Sequence, residues 1–279
     1  MLRKNVKSIV FSAPFAFCVI LTFFSMFIGD IGIWNEPARE DGKMGYSLMD
    51  QFFTAWTLFG YLMTALPLLA SIPAGFHFYD EKKYGIMQQK LLRQGSFRYN
   101  IFTVGTAALS GFFLVFISQC LYTGFIILIS EGSIHFTDSV GIYSGTEGIF
   151  GNMLATGKGF QVFLIVNLAC CVYGMIWPVF GIAASVWGRG RCIALIVPFV
   201  LWCLLDHITA IITWFIPQPY QKWYLYYLDI SNITLFGSLS KKGWIGIFYA
   251  FAYGFICILI GFIIFSLGVR HIRKKGVSI

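Results

Sequence analysis

Residues 80–100 read DEKKYGIMQQKLLRQGSFRYN, and this stretch decides how the chain is to be read. It holds seven of the chain's 32 charged residues: Asp80, Glu81, Lys82, Lys83, Lys90, Arg93 and Arg98. The runs on either side, 65–78 and 101–130, carry no charge apart from His77. A polar stretch between two such runs reads as a hinge between two membrane spans. It is longer than a minimal turn and more basic than an ordinary outward-facing loop. A chain that merely crosses a bilayer has no need of such a segment. One that is gripped from the cytoplasm does.

Composition supports the membrane reading. The chain is 58% hydrophobic, 19% aromatic and 11% charged, with 30 Phe in 279 residues. Soluble domains carry about 25% charged residues. Lipid admits only helices or closed barrels, and a barrel would show short alternating strands. The continuous apolar runs here predict an all-α membrane protein forming a single domain over 1–279. Six spans are expected, near 9–28, 52–78, 101–130, 162–188, 193–216 and 244–269, each close to the roughly 20 residues a bilayer needs. Lys4 and Lys7 precede the first run as in a secretory leader, but no small-residue cleavage site closes it, so an uncleaved first helix is expected.

Basic residues set the orientation. With six spans, Arg3, Lys4, Lys7, Lys82, Lys83, Lys90, Arg93, Arg98, Arg189, Arg191, Arg270, Arg273, Lys274 and Lys275 fall on one side. The other side receives Arg39, Lys43, Lys158, Lys222, Lys241 and Lys242. Both termini are therefore expected in the cytoplasm, in a multi-pass protein of the cell membrane. The net charge of +8 is read as this topology signal plus contact with anionic lipid, not as a sign of nucleic acid. The seven cysteines all lie in or beside spans and include no CxxC pair, so neither a disulfide framework nor a metal site is expected.

Three smaller features stand out, the first two with two readings each. Leu2, Val6, Ile9 and Val10 share one helical face, which suits a short helix on the inner membrane surface, or else the charged flank of the first span. The loop 217–243 packs Tyr220, Trp223, Tyr224, Tyr226 and Tyr227 into eight residues. It reads either as an element dipping into the outer leaflet or as an aromatic belt at the interface. Ala250, Gly254, Cys257, Gly261 and Gly268 keep small residues on one face of the last span, a pattern that suits close helix packing.

Polar residues inside spans are candidates for a pathway. Gln119, Asn167, Asp206 and His207 form that set. Asp206 and His207 point about 100° apart on a helix, so they do not make one constellation. They would touch substrate or a partner helix, or else a water-filled cleft. HExxH, GxSxG and paired intraspan carboxylates are all missing from the sequence. Residues 151–159, GNMLATGKG, miss the spacing and the final Ser or Thr of a phosphate loop. Asn232–Ile233–Thr234 matches a glycosylation sequon that is read as accidental. The chain is thus expected to be non-catalytic: a channel, a scaffold, or the membrane half of a machine powered elsewhere.

Six spans, cytoplasmic termini and a polar segment after the second span resemble the permease subunits of the ABC-2 exporter family. The residues that carry the resemblance are Glu81, then Lys82–Lys83–Tyr84–Gly85, then Leu91 and Leu92, then Ser96, Phe97, Arg98 and Tyr99. The family's usual proline before that Ser is replaced by Gln94–Gly95; glycine also breaks helices, so the turn is expected to survive. The resemblance implies that the segment is a coupling helix seated in a cleft of a separate cytosolic ATPase, which binds ATP and Mg. It also implies a second permease chain, an interfacial helix at Met1–Ser12 and a re-entrant element within 217–243. Ile86, Leu91 and Leu92 would fill the cleft, while Glu81, Lys83, Lys90 and Arg93 would fix register by charge. Tyr84 and Arg98 flank this set, and the Gly188–Cys192 turn, with Arg189 and Arg191, would be a second contact. Phe-rich spans and small outer loops favour a hydrophobic or amphipathic cargo, with a membrane-active peptide first and drugs or lipids next. The competing reading is a non-transporting immunity or sensor protein of the membrane.

Overall fold

A computed structural model describes residues 2–34, 52, 55–56, 61–129, 136, 149–188, 190–215, 217, 220, 228–235 and 243–275. Among them the regular structure is helical: α1 (Leu2–Val10), α2 (Ala13–Trp34), α3 (Tyr61–Lys83), α4 (Ile86–Gln94), α5 (Ser96–Ile129), α6 (Ile149–Ala155), α7 (Gly159–Trp187), α8 (Ile193–Phe215) and α9 (Trp244–Lys275), with a 3₁₀ turn at Ile230–Thr234 between the last two. Among the described residues, four helices are long and apolar enough to cross a membrane: Leu62–Lys83, Ser96–Leu128, Gly159–Trp187 and Trp244–Lys274. The apolar stretches Ala13–Ile28 and Ile193–Ile208 are shorter.

Side-chain contacts fix how these helices run. On α2, Val19 and Phe23 meet Ser118 and Tyr122 of α5, so the two helices are parallel. Gly111 of α5 faces Pro178 of α7, and Val115 faces Gly174, so that pair is antiparallel. Ser71 of α3 lies against Gly181, and Lys82 reaches the far end of α7, so α3 and α7 are parallel. The chain doubles back after α7, and Ala194 of α8 returns to Gly181. Val172, Val179 and Val186 of α7 sit over Gly254, Gly261 and Gly268 of α9, again in parallel. Long helices consecutive in the chain therefore alternate in direction, and Lys7, α4, Arg191, Arg270, Arg273 and Lys274 gather at one end of the bundle.

The seven-residue steps on α7 and α9 explain the small stripe. A Cβ placed on Gly254, Gly261 or Gly268 would lie 2.5 to 2.6 Å from the facing valine. Glycine at each step lets the two backbones close on one another, the packing that serves where lipid supplies no hydrophobic driving force. The core is centred on α7, whose Tyr173, Ile176, Trp177 and Val179 are fully buried.

Short polar side chains inside the bundle bond to their own helices. Thr22, Ser71, Ser118 and Ser185 each donate to the carbonyl four residues back, at 2.7 to 2.9 Å. This satisfies a hydroxyl without a neighbour.

Several boundaries differ from the sequence expectation. The first long helix begins at Ala13, not residue 9, because the chain breaks at Phe11–Ser12 and Ser12 caps α2: its hydroxyl accepts from the Phe15 N–H at 3.4 Å. The second long helix continues past residue 78 to Lys83 and the third starts five residues early at Ser96. Much of the expected hinge is thus helix end and helix start.

Candidate functional site

Two glycines frame α4. Gly85 takes φ 71°, ψ 2°, and Gly95 takes φ 74°, ψ 156°. The second pair lies in a region that is essentially restricted to glycine. A proline cannot adopt that φ, so the turn at Gln94–Gly95 is built differently from the one the family resemblance implies. Between the glycines the helix is two-faced. Met87 is buried and Leu91 packs beside it, against Phe78, Tyr99 and Phe265 of neighbouring helices. The opposite face presents Ile86, Gln88, Gln89, Leu92 and Arg93, with Tyr84, Phe97 and Arg98 exposed at its two ends. Leu92 is 88% exposed and Phe97 71%, which is unusual for large apolar side chains beside a helix that already has an apolar inner face.

Charges tie α4 to the bundle. Glu81 is buried, and its carboxylate takes Lys90 of α4 and, at 3.1 Å, Nε2 of His77 one turn back. A buried carboxylate persists only with partners of this kind. Lys82 turns the other way: its Nζ donates to the carbonyls of Ser185 and Val186 at 3.0 Å and of Gly188 at 2.7 Å. These are carbonyls left open at the C-terminus of α7, where a cation also suits the helix dipole. Asp80 pairs with Arg191 in the turn after α7. The Arg191 guanidinium lies 5.8 Å from the Phe76 ring and 5.7 Å from the Tyr79 ring. The Asp80 hydrogen bond and charge hold Arg191 further above its ordinary pKa, so it stays a cation at all physiological pH. Lys83 lies 5.7 Å from the Tyr84 ring. On α5, Asn100 donates to Ser266 of α9 at 3.1 Å.

The residues expected to form one contact surface thus divide in two. Lys83, Tyr84, Ile86, Leu92, Arg93, Arg98 and Arg191 are exposed; Glu81, Lys90 and Leu91 face the bundle. Arg189 lies outside the described residues. Sequence reasoning left out Lys82, Asp80 and His77 as positioning residues. Their partners are on α7, on the turn after it, or one helical turn away, and no local motif marks them.

The four pathway candidates are not drawn together. Gln119 is buried on α5 and accepts from the Cys171 thiol at 3.4 Å. Asn167 donates to the Phe163 carbonyl of its own helix at 2.8 Å. Asp206 and His207 are exposed on α8. None of the four lines the groove of about 600 Å³ at the opposite end, between Asn152, Lys158, Gln161 and Trp244. None lines the pocket of about 20 Å³ beside Glu81 and His77 either, which is large enough for one water. The re-entrant proposal falls mostly outside the described residues. Within it, Ile230–Thr234 packs against the bundle with Asn232 and Thr234 fully buried, so the folded chain hides the sequon. No protein-family model, curated protein or solved structure matches the chain.

Proposed function

We propose that this chain is the non-catalytic permease subunit of an ATP-driven exporter, with six spans and both termini in the cytoplasm. A separate cytosolic ATPase would bind ATP and Mg and seat on α4. A second permease chain would complete the membrane pathway. The cargo would be hydrophobic or amphipathic, with a membrane-active peptide the first candidate.

One observation carries this reading: α4 offers Ile86, Leu92 and Arg93 outward, continued by Phe97 and Arg98 at the start of α5, while Met87, Lys90 and Leu91 lock α4 inward. A partner pressing on the outer face would not simply swivel the helix. Glu81–Lys90 ties α4 to α3, and Lys82 ties α3 to the end of α7. A push would therefore pass into α3 and α7 together. The exposed aromatics Tyr84 and Phe97 beside Arg93 and Arg98 are residue types enriched at protein interfaces.

The test is isolation of the tagged full-length chain in mild detergent from cells that also express its neighbouring genes. A nucleotide-hydrolysing chain is expected to co-purify. Leu92→Glu with Arg93→Glu should reduce its recovery roughly tenfold or more, as for removal of an interface anchor, with the amount of permease in the membrane unchanged. Glu81 is unsuitable for this test because it faces the bundle. Absence of any ATPase from the wild-type preparation would overturn the proposal and favour an immunity or sensor role.

A further inference from the structure

The helix α8 carries an exposed row that the other described residues leave uncovered. Ile196, Val200, Cys203, His207 and Trp214 follow one another at steps of four, three, four and seven. Trp214 is 86% exposed, Ile196 54% and Val200 45%; Cys203 is half-buried and a free thiol. This spacing is that of a heptad seam, in which about one residue per helical turn faces a partner helix. Asp206 sits at its edge. Among the described residues, neither Asp206 nor His207 has a hydrogen-bond or ion-pair partner within the chain.

Depth makes that a problem. Asp206 lies 13 residues beyond Ile193, about 20 Å along the helix. If α8 crosses a hydrocarbon layer of about 30 Å, the carboxylate stands well inside it. Ionisable groups at such depth face a protein interior or one another, and do not face acyl chains.

We propose that this face of α8 is the seam of a homodimer, in which His207 of each copy donates to Asp206 of the other. Two copies inserted in the same orientation are related by a two-fold axis along the membrane normal, so their α8 helices run parallel and present the same patch to each other. In a parallel seam a core residue four after and three before its core neighbours, as His207 is, enters a hole of four residues of the facing helix that includes the residue just before its own counterpart. Placed in the core, His207 therefore meets Asp206 of the second copy. The surface is self-complementary: one acid and one base on each side yield two equivalent pairs. Neither a lipid nor an apolar helix offers the carboxylate a donor. The same register brings Cys203 of the two copies face to face.

This inference deepens the paired-chain part of the exporter reading and makes no use of its ATPase part, so ATPase co-purification and dimerisation can fail separately. The test uses the full chain in membranes, with Cys120, Cys192 and Cys257 replaced by Ala so that Cys203 is the accessible thiol. Mild oxidation should give a disulfide-linked species of two chains, lost on reduction and lost with Cys203→Ala. Asp206→Leu alone and His207→Leu alone should each lower its yield roughly tenfold, because each leaves an uncompensated polar group in the seam. The double change Asp206→Leu with His207→Leu should restore most of the yield, since it removes both groups together. Yields are taken relative to the chain present in the membrane fraction. The proposal is overturned by absence of the linked species, by linkage of Cys203 to a different protein, by single variants that link as well as the parent, or by a double variant as poor as the singles.

Discussion

Gly111→Leu should leave little folded protein in detergent, whereas Gly124→Leu, on the same helix, should behave as wild type. At Gly111 the backbones of α5 and α7 pack closely. Even a single added carbon there would overlap the Gly174 carbonyl oxygen and lie 2.8 Å from the Pro178 ring. The first of these obstacles is backbone, which no rotamer change can move aside. Leucine would force the helices apart and break the packing of Val115, Tyr173 and Trp177 around the crossing. Overpacking of a core costs about 1–3 kcal/mol and more when the obstacle cannot yield, and the larger value is expected here. At Gly124 nothing lies within 4 Å of the added carbon. Thermal unfolding and the fraction of monodisperse protein on size exclusion would separate the two variants. Equal behaviour would mean that α5 and α7 do not approach at Gly111.

The second large effect is expected at Lys82. Lys82→Met keeps most of the aliphatic stem and removes the ammonium that holds three carbonyls at the end of α7. Hydrogen bonds to charged groups contribute about 1.5–3 kcal/mol each. Because the three share one donor, a combined loss of about 3 kcal/mol is expected, not three times the single value. Lys83→Met is the control: Lys83 is exposed and lies over the Tyr84 ring, a contact contributing about 0.5–1 kcal/mol. A clear drop in melting temperature for Lys82→Met and a small one for Lys83→Met is the expected pair of results. Similar drops for both would show that the cap on α7 does not form.

Adjacent lysines of the same charge thus differ in what they touch, and this marks the limit of what the sequence reveals. Apolar runs and the bias of Lys and Arg are local or additive signals, so the long helices and the charged end of the bundle could be read from them. The small stripe on the last helix was legible as packing because its spacing matches one helical face. Gly111 and Gly174, which meet closely between α5 and α7, stood in no stripe and gave no signal. The polar hinge was legible as a segment but not as structure. Asp80 meets Arg191, and Lys82 meets residues 185 to 188, partners that lie more than 100 residues away. Once those partners exist, residues 80 to 83 can finish α3, and residues 96 to 100 can begin α5 on Tyr99 and Asn100, both buried. What remains of the hinge is α4 and its two glycines. Asp206 and His207 were recognised as needing partners because a carboxylate within an apolar run always does; a single chain could not show where those partners are.

The central claim is that the outer face of α4 receives a cytosolic ATPase. A photo-crosslinking residue placed at Leu92, which points outward, and one placed at Met87, which is buried, test it in intact cells. The account predicts an adduct between position 92 and a nucleotide-binding chain, and none from position 87. No such adduct from position 92, or equal adducts from both positions, would contradict it.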